Sequence, residues 1–308
     1  MASAERRTMT VEAAGRSAGV RDWLKLLRPK HWAKNVFVLA PLLFSGRATE
    51  TAVVTDALLV FVAFCLAASA VYAFNDVIDC AEDRAHPVKR DRPVAAGRIA
   101  PGSAMAAAGL LAALSLALAA ADGLPTLACI GGYLVLNVAY SKWIKHLVLL
   151  DVFAIATFFL LRLIAGSVAV HVKPSVWLLL CGGLLALYLG FAKRRHELLV
   201  LGDESVGHRK VLTHYSPAFL DQISAVLLAV TIVSYLMYSL TSDTALKVGS
   251  EALSYGIPFV LYGVFRYLYL VHQRDLGSPT ETVFNDKPLV ATVALWLLYN
   301  AWVVYRPH

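Results

Sequence analysis

The sequence predicts an all-α polytopic membrane protein with about nine transmembrane helices. Three observations lead there. Of 308 residues, 58% are hydrophobic and only 16% charged, whereas a soluble domain carries nearer to 25% charged residues. The apolar runs are roughly 18–25 residues long and show no period of two, which is the length and pattern of helices crossing a bilayer. Lipid offers the backbone no hydrogen bonds, so only helices or a closed barrel can span it. Finally, the loops between the runs alternate in length and charge.

In chain order, residues 1–20 are polar, with Arg6, Arg7 and Arg16, and read as a flexible cytoplasmic tail without a cleavable signal peptide. Residues 21–308 read as one transmembrane domain. Spans are expected at 35–47, 53–79, 103–121, 124–141, 148–170, 175–200, 218–241, 252–272 and 288–305. The first is short, and its helix is expected to begin nearer His31. The long loops are 80–102, 142–147, 201–217 and 273–287. Lys and Arg favour the cytoplasmic side. The N-terminal segment, the long loops and the end of the sixth span from residue 193 hold 22 of the 28, the other side holds four (Arg47, Lys173, Lys247 and Arg306), and Arg162 and Arg266 lie within spans. This places the N-terminus and long loops in the cytoplasm and His308 outside. The net charge of +7 is mostly this asymmetry, and nucleic-acid binding is not needed to explain it. Anionic headgroups are attracted to the same side. Cys65, Cys80, Cys129 and Cys181 are scattered without a CxxC pair, so they read as packing residues and not as a disulfide frame or zinc site.

Chemistry concentrates at the end of the second span, which reads Asn75-Asp-Val-Ile-Asp-Cys-Ala-Glu-Asp83. On a helix, Asp76, Asp79 and Asp83 fall within an arc of about 60°. Carboxylates so close to lipid are costly and repel one another unless a cation lies between them. A hard divalent metal that also holds a phosphate-bearing substrate would supply that cation. The following loop carries Lys89, Arg90 and Arg92, placed to hold phosphate oxygens, with Pro87 and Pro93 stiffening it and Gly97 allowing a turn. Positive-inside topology alone would also put basic residues there.

A second polar cluster, Lys193-Arg-Arg-His-Glu197, ends the sixth span. Lys193 and Glu197 are four apart and share a face, so Glu197 is either a further metal ligand or an orienter of a basic residue. Asp203 and Glu204 read as solvated. Upstream, Trp32 is an interfacial anchor, and Lys30, Lys34 and Asn35 are candidates to face the same cavity. Tyr140, Lys142 and Lys145 close the fourth span, and Asp151 opens the fifth. Arg162 lies deeper in that span and needs a partner or a wet cavity. P-loop, GxGxxG, HExxH and GxSxG motifs are absent.

The pattern Asn75-Asp76-x-x-Asp79-x-x-x-Asp83 resembles the first aspartate-rich motif of the UbiA superfamily of intramembrane prenyltransferases, and the likeness extends over nearly the whole chain. The second Asp-x-x-x-Asp motif typical of that superfamily is replaced by Lys193-Arg-Arg-His-Glu197. In this the chain resembles the decaprenyl-phosphate phosphoribosyltransferase branch, as it does in Leu27-Arg-Pro-x-x-Trp-x-Lys-Asn35, Asp83-Arg-Ala-His-Pro-x-Lys-Arg-x-Arg-Pro93, Asp151 with Arg162 and Gly166, and Asn285-Asp-Lys-Pro288.

The resemblance implies a UbiA-like helical bundle in the cell (inner) membrane with a cytoplasmic-side active site. It implies transfer of 5-phosphoribosyl from phosphoribosyl diphosphate to a polyprenyl phosphate, releasing diphosphate, for cell-wall arabinan precursors. Mg²⁺ on Asp76, Asp79 and Asp83 would neutralise the leaving diphosphate, with Glu197 also catalytic. Asn75, Lys89, Arg90, Arg92, Tyr140 and Arg162 would line the substrates. Lys30, Lys34, Lys142, Lys193 and Arg194 would supply the cations that a phosphate acceptor needs. The alternative is transfer of a prenyl group from a prenyl diphosphate to an aromatic or other small acceptor. A homo-oligomer is compatible with either reading.

Overall fold

The computed structural model describes residues 18–201, 210–242, 245, 250–273 and 285–306. Most of the expected tail, the Asp203–Glu204 stretch, much of the 273–287 loop and His308 lie outside them. Within the described residues the elements are α1 (Val20–Leu27), a 3₁₀ segment (Pro29–Leu39), α2 (Ala40–Phe44), α3 (Thr51–Ile78) and α4 (Cys80–Ala85). Then come α5 (Pro101–Asp122), α6 (Leu124–Lys142), α7 (Leu150–Ala169), α8 (Val176–Leu201) and α9 (Pro217–Thr241). The last are α10 (Ser250–Ser254), α11 (Ile257–Gln273) and α12 (Lys287–Tyr305).

Seven described helices are long and apolar enough to cross a membrane: α3, α5, α6, α7, α8, α9 and α12. The expected eighth span is α11, at 17 residues. Its Arg266 is paired with Asp286 at 2.8 Å, and Asp286 also caps α12 by accepting from the Leu289 amide. Chain neighbours pack as spatial neighbours, and α12 returns to touch α2.

The expected first span differs most from its prediction. It is a 3₁₀ segment of 11 residues followed by a five-residue helix. At about 2.0 Å per residue for 3₁₀ and 1.5 Å for α, those residues still cover about 30 Å. A 3₁₀ segment eclipses every third side chain, so it has three flat rows. Trp32, Asn35 and Val38 form the inward row. Trp32 donates to Ser69 Oγ at 3.0 Å, and Asn35 donates to Cys65 Sγ at 3.3 Å. Val38 lies against α7 at Gly166, where an added Cβ would come within 2.0 Å of the Val38 carbonyl oxygen. Lys30, Ala33 and Val36 form the exposed row. Arg28, His31, Lys34 and Phe37 form the third.

Cys65, Ser69, Tyr72 and Asp76 lie along one stripe of α3, following the helical period. The 3₁₀ segment runs antiparallel to that stripe. Its span from Arg28 to Asn35, about 14 Å, matches the roughly 16 Å from Asp76 to Cys65. The match delivers Arg28 to Asp76.

Candidate active site at the basic end of the bundle

The site forms where α3 ends. Asp79 caps α3 at φ −87°, ψ 8°. The helical course then resumes in α4, with the Asp83 amide donating to the Asp79 carbonyl at 2.8 Å. Asp76 is 1% and Asp83 2% exposed, so both charges need compensation. Arg28 donates to Asp76. Arg92 reaches back from the loop to Asp83 at 2.6 Å and lies 3.4 Å from Asp76. Asp79 turns the other way, to Lys145 at 3.2 Å. Asn75 accepts a hydrogen bond from Ser141 on α6 at 2.7 Å.

The expected single acidic stripe is thus split. Asp76 and Asp83 converge on Arg92, and Asp79 diverges because α3 breaks at that residue. No group of three or more His, Cys, Asp or Glu side chains among the described residues is gathered as a ready-made metal cage.

Arg28 occupies a left-handed backbone conformation, φ 51°, which costs a non-glycine residue about 1–3 kcal/mol. Its bond to Asp76 and the face of Tyr72, 4.9 Å from its guanidinium, hold it there. The loop after α4 is fixed by its own bonds. Gly97 turns it at φ 72°. Arg84 donates to the Ala95 carbonyl at 3.1 Å, and Arg98 ties it to Asp22 on α1 at 2.8 Å. Of the three loop cations expected at the stripe, only Arg92 is there. Lys89 and Arg90 lie on a short, exposed 3₁₀ turn.

The second cluster is locked by a buried ion pair. Arg194 donates to Asp151 at 2.8 Å and to Glu197 at 2.6 Å, with Arg194 only 1% exposed and Asp151 fully buried. Breaking one member of such a pair leaves the other charge buried and alone. Tyr215 adds a 3.4 Å bond to Asp151 and accepts from the Leu149 amide at 2.7 Å. Burial pushes its hydroxyl above the ordinary range, so it remains a donor. Glu197 also lies 3.9 Å from Lys193. Glu197 thus lies between two basic side chains of its own helix. Tyr140 stands close enough to Arg194 for the two to interact electrostatically.

Arg162 does not reach the stripe. It donates to Asn35 Oδ1 at 2.7 Å, the Phe158 carbonyl at 2.7 Å and the Tyr133 hydroxyl at 3.3 Å, among the faces of Phe64, Tyr133 and Phe159. Lys142 is exposed, 6.0 Å from the Trp143 ring. Lys145, one turn later, is the lysine that meets Asp79. Arg28 was also missed as a site residue. The signal available for it was its place before Pro29, where a chain leaves one helix for another segment.

The UbiA prenyltransferase family model matches residues 36–286. The chain belongs to the UbiA prenyltransferase family. This UbiA-family chain is 34% identical to the decaprenyl-phosphate phosphoribosyltransferase of Corynebacterium glutamicum, over 92% of this chain and 86% of that one. It is 33% identical to the protein of the same name from Mycobacterium tuberculosis, strain H37Rv, over 94% and 95%. Its fold matches a UbiA homolog from Archaeoglobus fulgidus bound to DMAPP and Mg²⁺ with a TM-score of 0.70, at 21% identity and over 92% and 99% of the two chains.

The donor set of this UbiA-family site fits a divalent ion. Asp76, Asp79 and Asp83 offer only hard carboxylate oxygens. Buried Asp76 Oδ2 has no hydrogen-bond partner, and a buried acceptor left so is costly.

Proposed function

We propose that this chain transfers 5-phosphoribosyl from phosphoribosyl diphosphate to a polyprenyl phosphate, with release of diphosphate. The observation that carries this reading is the end of α8. A basic cluster is locked there by Asp151 and Glu197, where a prenyltransferase pattern would place a second pair of aspartates. That cluster suits an anionic acceptor, and the near full-length identity to decaprenyl-phosphate phosphoribosyltransferases supports it.

In this reading Asp76, Asp79 and Asp83 would hold Mg²⁺, and the chemistry it would supply there is neutralisation of charge on the leaving diphosphate. Arg92, beside Asp76 and Asp83, and Lys145, beside Asp79, donate to diphosphate oxygens as charge develops on them. Arg28 holds Asp76 and orients it. The acceptor phosphate is already anionic at neutral pH, so a strong general base is not required. The basic end of the bundle faces the cytoplasm, where 22 of 28 Lys and Arg lie. The product would feed cell-wall arabinan synthesis.

The test is a donor assay. Purified protein in detergent with Mg²⁺ receives polyprenyl phosphate and radiolabelled phosphoribosyl diphosphate, and the lipid phase is counted. Label in lipid, abolished by EDTA, is the expected result. A second reading, prenyl transfer to an aromatic or other small acceptor, is favoured by the fold match to UbiA homologs bound to GPP or DMAPP with Mg²⁺. Transfer from a prenyl diphosphate to an aromatic acid, with no label in lipid, would establish that reading instead.

A further inference from the structure

Among the described residues, three that are not glycine hold a positive φ: Arg28, Leu149 and His171. Two of them flank the candidate site. Arg28 is held by Asp76. Leu149, at φ 66° and ψ −46°, ends the connection from α6 to α7. Across it the Leu150 amide donates to the Val148 carbonyl at 2.8 Å. That is a γ-turn of the rare, strained kind, and a bulky side chain adopts it only where its surroundings hold it. Here the holder is Tyr215, which lies between a 3₁₀ turn (Lys210–His214) and α9. Its ring is 5% exposed, stacks on Phe219 and packs with Val152, Phe191 and Leu220. Its hydroxyl accepts from the Leu149 amide at 2.7 Å and donates to Asp151 Oδ1 at 3.4 Å. One hydroxyl therefore meets both the strained turn and the carboxylate that pairs with Arg194.

The turn matters because of what precedes it. Lys145 sits in a short 3₁₀ turn, Ile144–His146, whose Ile144 carbonyl accepts from the Leu147 amide at 2.9 Å. The Leu147 carbonyl in turn accepts from the Asp151 amide at 3.1 Å, and the Lys210–His214 turn packs on Ile144–His146. These bonds tie residues 144–151 into one piece, so the direction of the chain at Leu149 sets where Lys145 stands. Lys145 Nζ is 3.2 Å from Asp79. We propose that Tyr215 is a positioning residue for the transfer reaction: its hydroxyl holds the Leu149 turn, and the turn holds Lys145 at Asp79, where the leaving diphosphate binds. A misplacement of about 1 Å at such a group can cost about 100-fold in rate. The inference rests on the reading of diphosphate release given above, and prenyl transfer would release the same group.

The experiment measures equilibrium binding of inorganic diphosphate with Mg²⁺ in detergent, beside kcat. The proteins are wild type, Tyr215→Phe, Lys145→Gln, Tyr215→Phe with Lys145→Gln, and Tyr215→Phe with Leu149→Gly. Tyr215→Phe keeps the packed ring and removes only the hydroxyl. It is expected to weaken diphosphate binding and to lower kcat, each by roughly 10- to 100-fold. The variant that combines it with Lys145→Gln stays within about two-fold of Lys145→Gln alone, because a residue acting through Lys145 has nothing left to act on. A role in packing alone would add its loss to that of Lys145→Gln. Glycine takes a positive φ without the Cβ cost, so Leu149→Gly regains part of the affinity that Tyr215→Phe loses. Unchanged diphosphate affinity in Tyr215→Phe, losses that add in full, or no regain from Leu149→Gly overturns the proposal, even if wild type transfers phosphoribosyl. The expected pattern of diphosphate affinities in a protein that puts no label into lipid leaves the positioning role standing and sinks the phosphoribosyl reading.

Discussion

At the scale of single residues, the candidate site is an exercise in compensating buried charge. Asp76 and Asp83 are almost wholly buried, and each is met by an arginine brought from another part of the chain. Asp79 is more open, its side chain 29% exposed beside Lys145. This difference makes Asp79 the cleanest probe of chemistry, because changing it disturbs the fold least. Asp79→Asn is expected to lower kcat by roughly 100-fold or more, with the thermal midpoint in detergent nearly unchanged. Asp76→Asn and Asp83→Asn should lose turnover too, with some loss of stability because Arg28 and Arg92 lose a charged partner. Near-normal turnover in all three, measured by the lipid-label assay, would sink the metal assignment. The motif made the three aspartates legible as a group. Their separate partners were not legible, because Arg28 and Arg92 lie 48 and 9 residues away from the carboxylates they meet.

At the scale of elements, the 3₁₀ segment organises the site. Its threefold period sends Trp32, Asn35 and Val38 into the bundle and leaves Lys30 outside, while Lys34 keeps company with Arg28 and His31. Gly166 is what lets the segment approach α7. Gly166→Ala would push a methyl group to 2.0 Å from the Val38 carbonyl oxygen. That cannot be relieved by a side-chain rotation, because the obstacle is backbone. It should cost at least about 1–3 kcal/mol and lower the detergent melting midpoint, read by fluorescence-detected size exclusion. Gly183→Ala is the control, since its nearest neighbour is the Leu160 side chain at 3.3 Å. Equal midpoints for the two variants would show that the close approach is not needed. Arg162 belongs to this scale as well. Its bond to Asn35 Oδ1 ties α7 to the same inward row.

At the scale of the whole molecule, the expectation is an orientation. The basic loops and the candidate site share one end of the bundle, and the positive-inside tendency directs that end to the cytoplasm. Two exposed positions at opposite ends report it: Val88, after α4, and Leu124, the first residue of α6, 74% and 76% exposed. With the four native cysteines replaced, a membrane-impermeant maleimide on intact cells should label Leu124→Cys and not Val88→Cys. Lysed cells should label both. The reverse pattern in intact cells would invert the topology and move the site to the outer face.

What the sequence determined by itself follows from short-range physics. Apolar length fixed the long helices to within a few residues, because a backbone in lipid has no choice but to satisfy itself. The Asn75–Asp83 motif and the cluster at Lys193–Glu197 marked the candidate site, because carboxylates grouped beside lipid repel one another unless cations compensate them. The tertiary structure decided which charges meet. It split the acidic stripe at the α3 break, chose Lys145 over Lys142, and gave Glu197 to Arg194. It also separated Lys34 from Lys30. Those outcomes depend on a 3₁₀ segment whose period differs from the α period that sequence reading assumes, and on packing between elements far apart in the chain. A one-dimensional pattern carries the cost of a buried charge, but not the identity of the partner that relieves it.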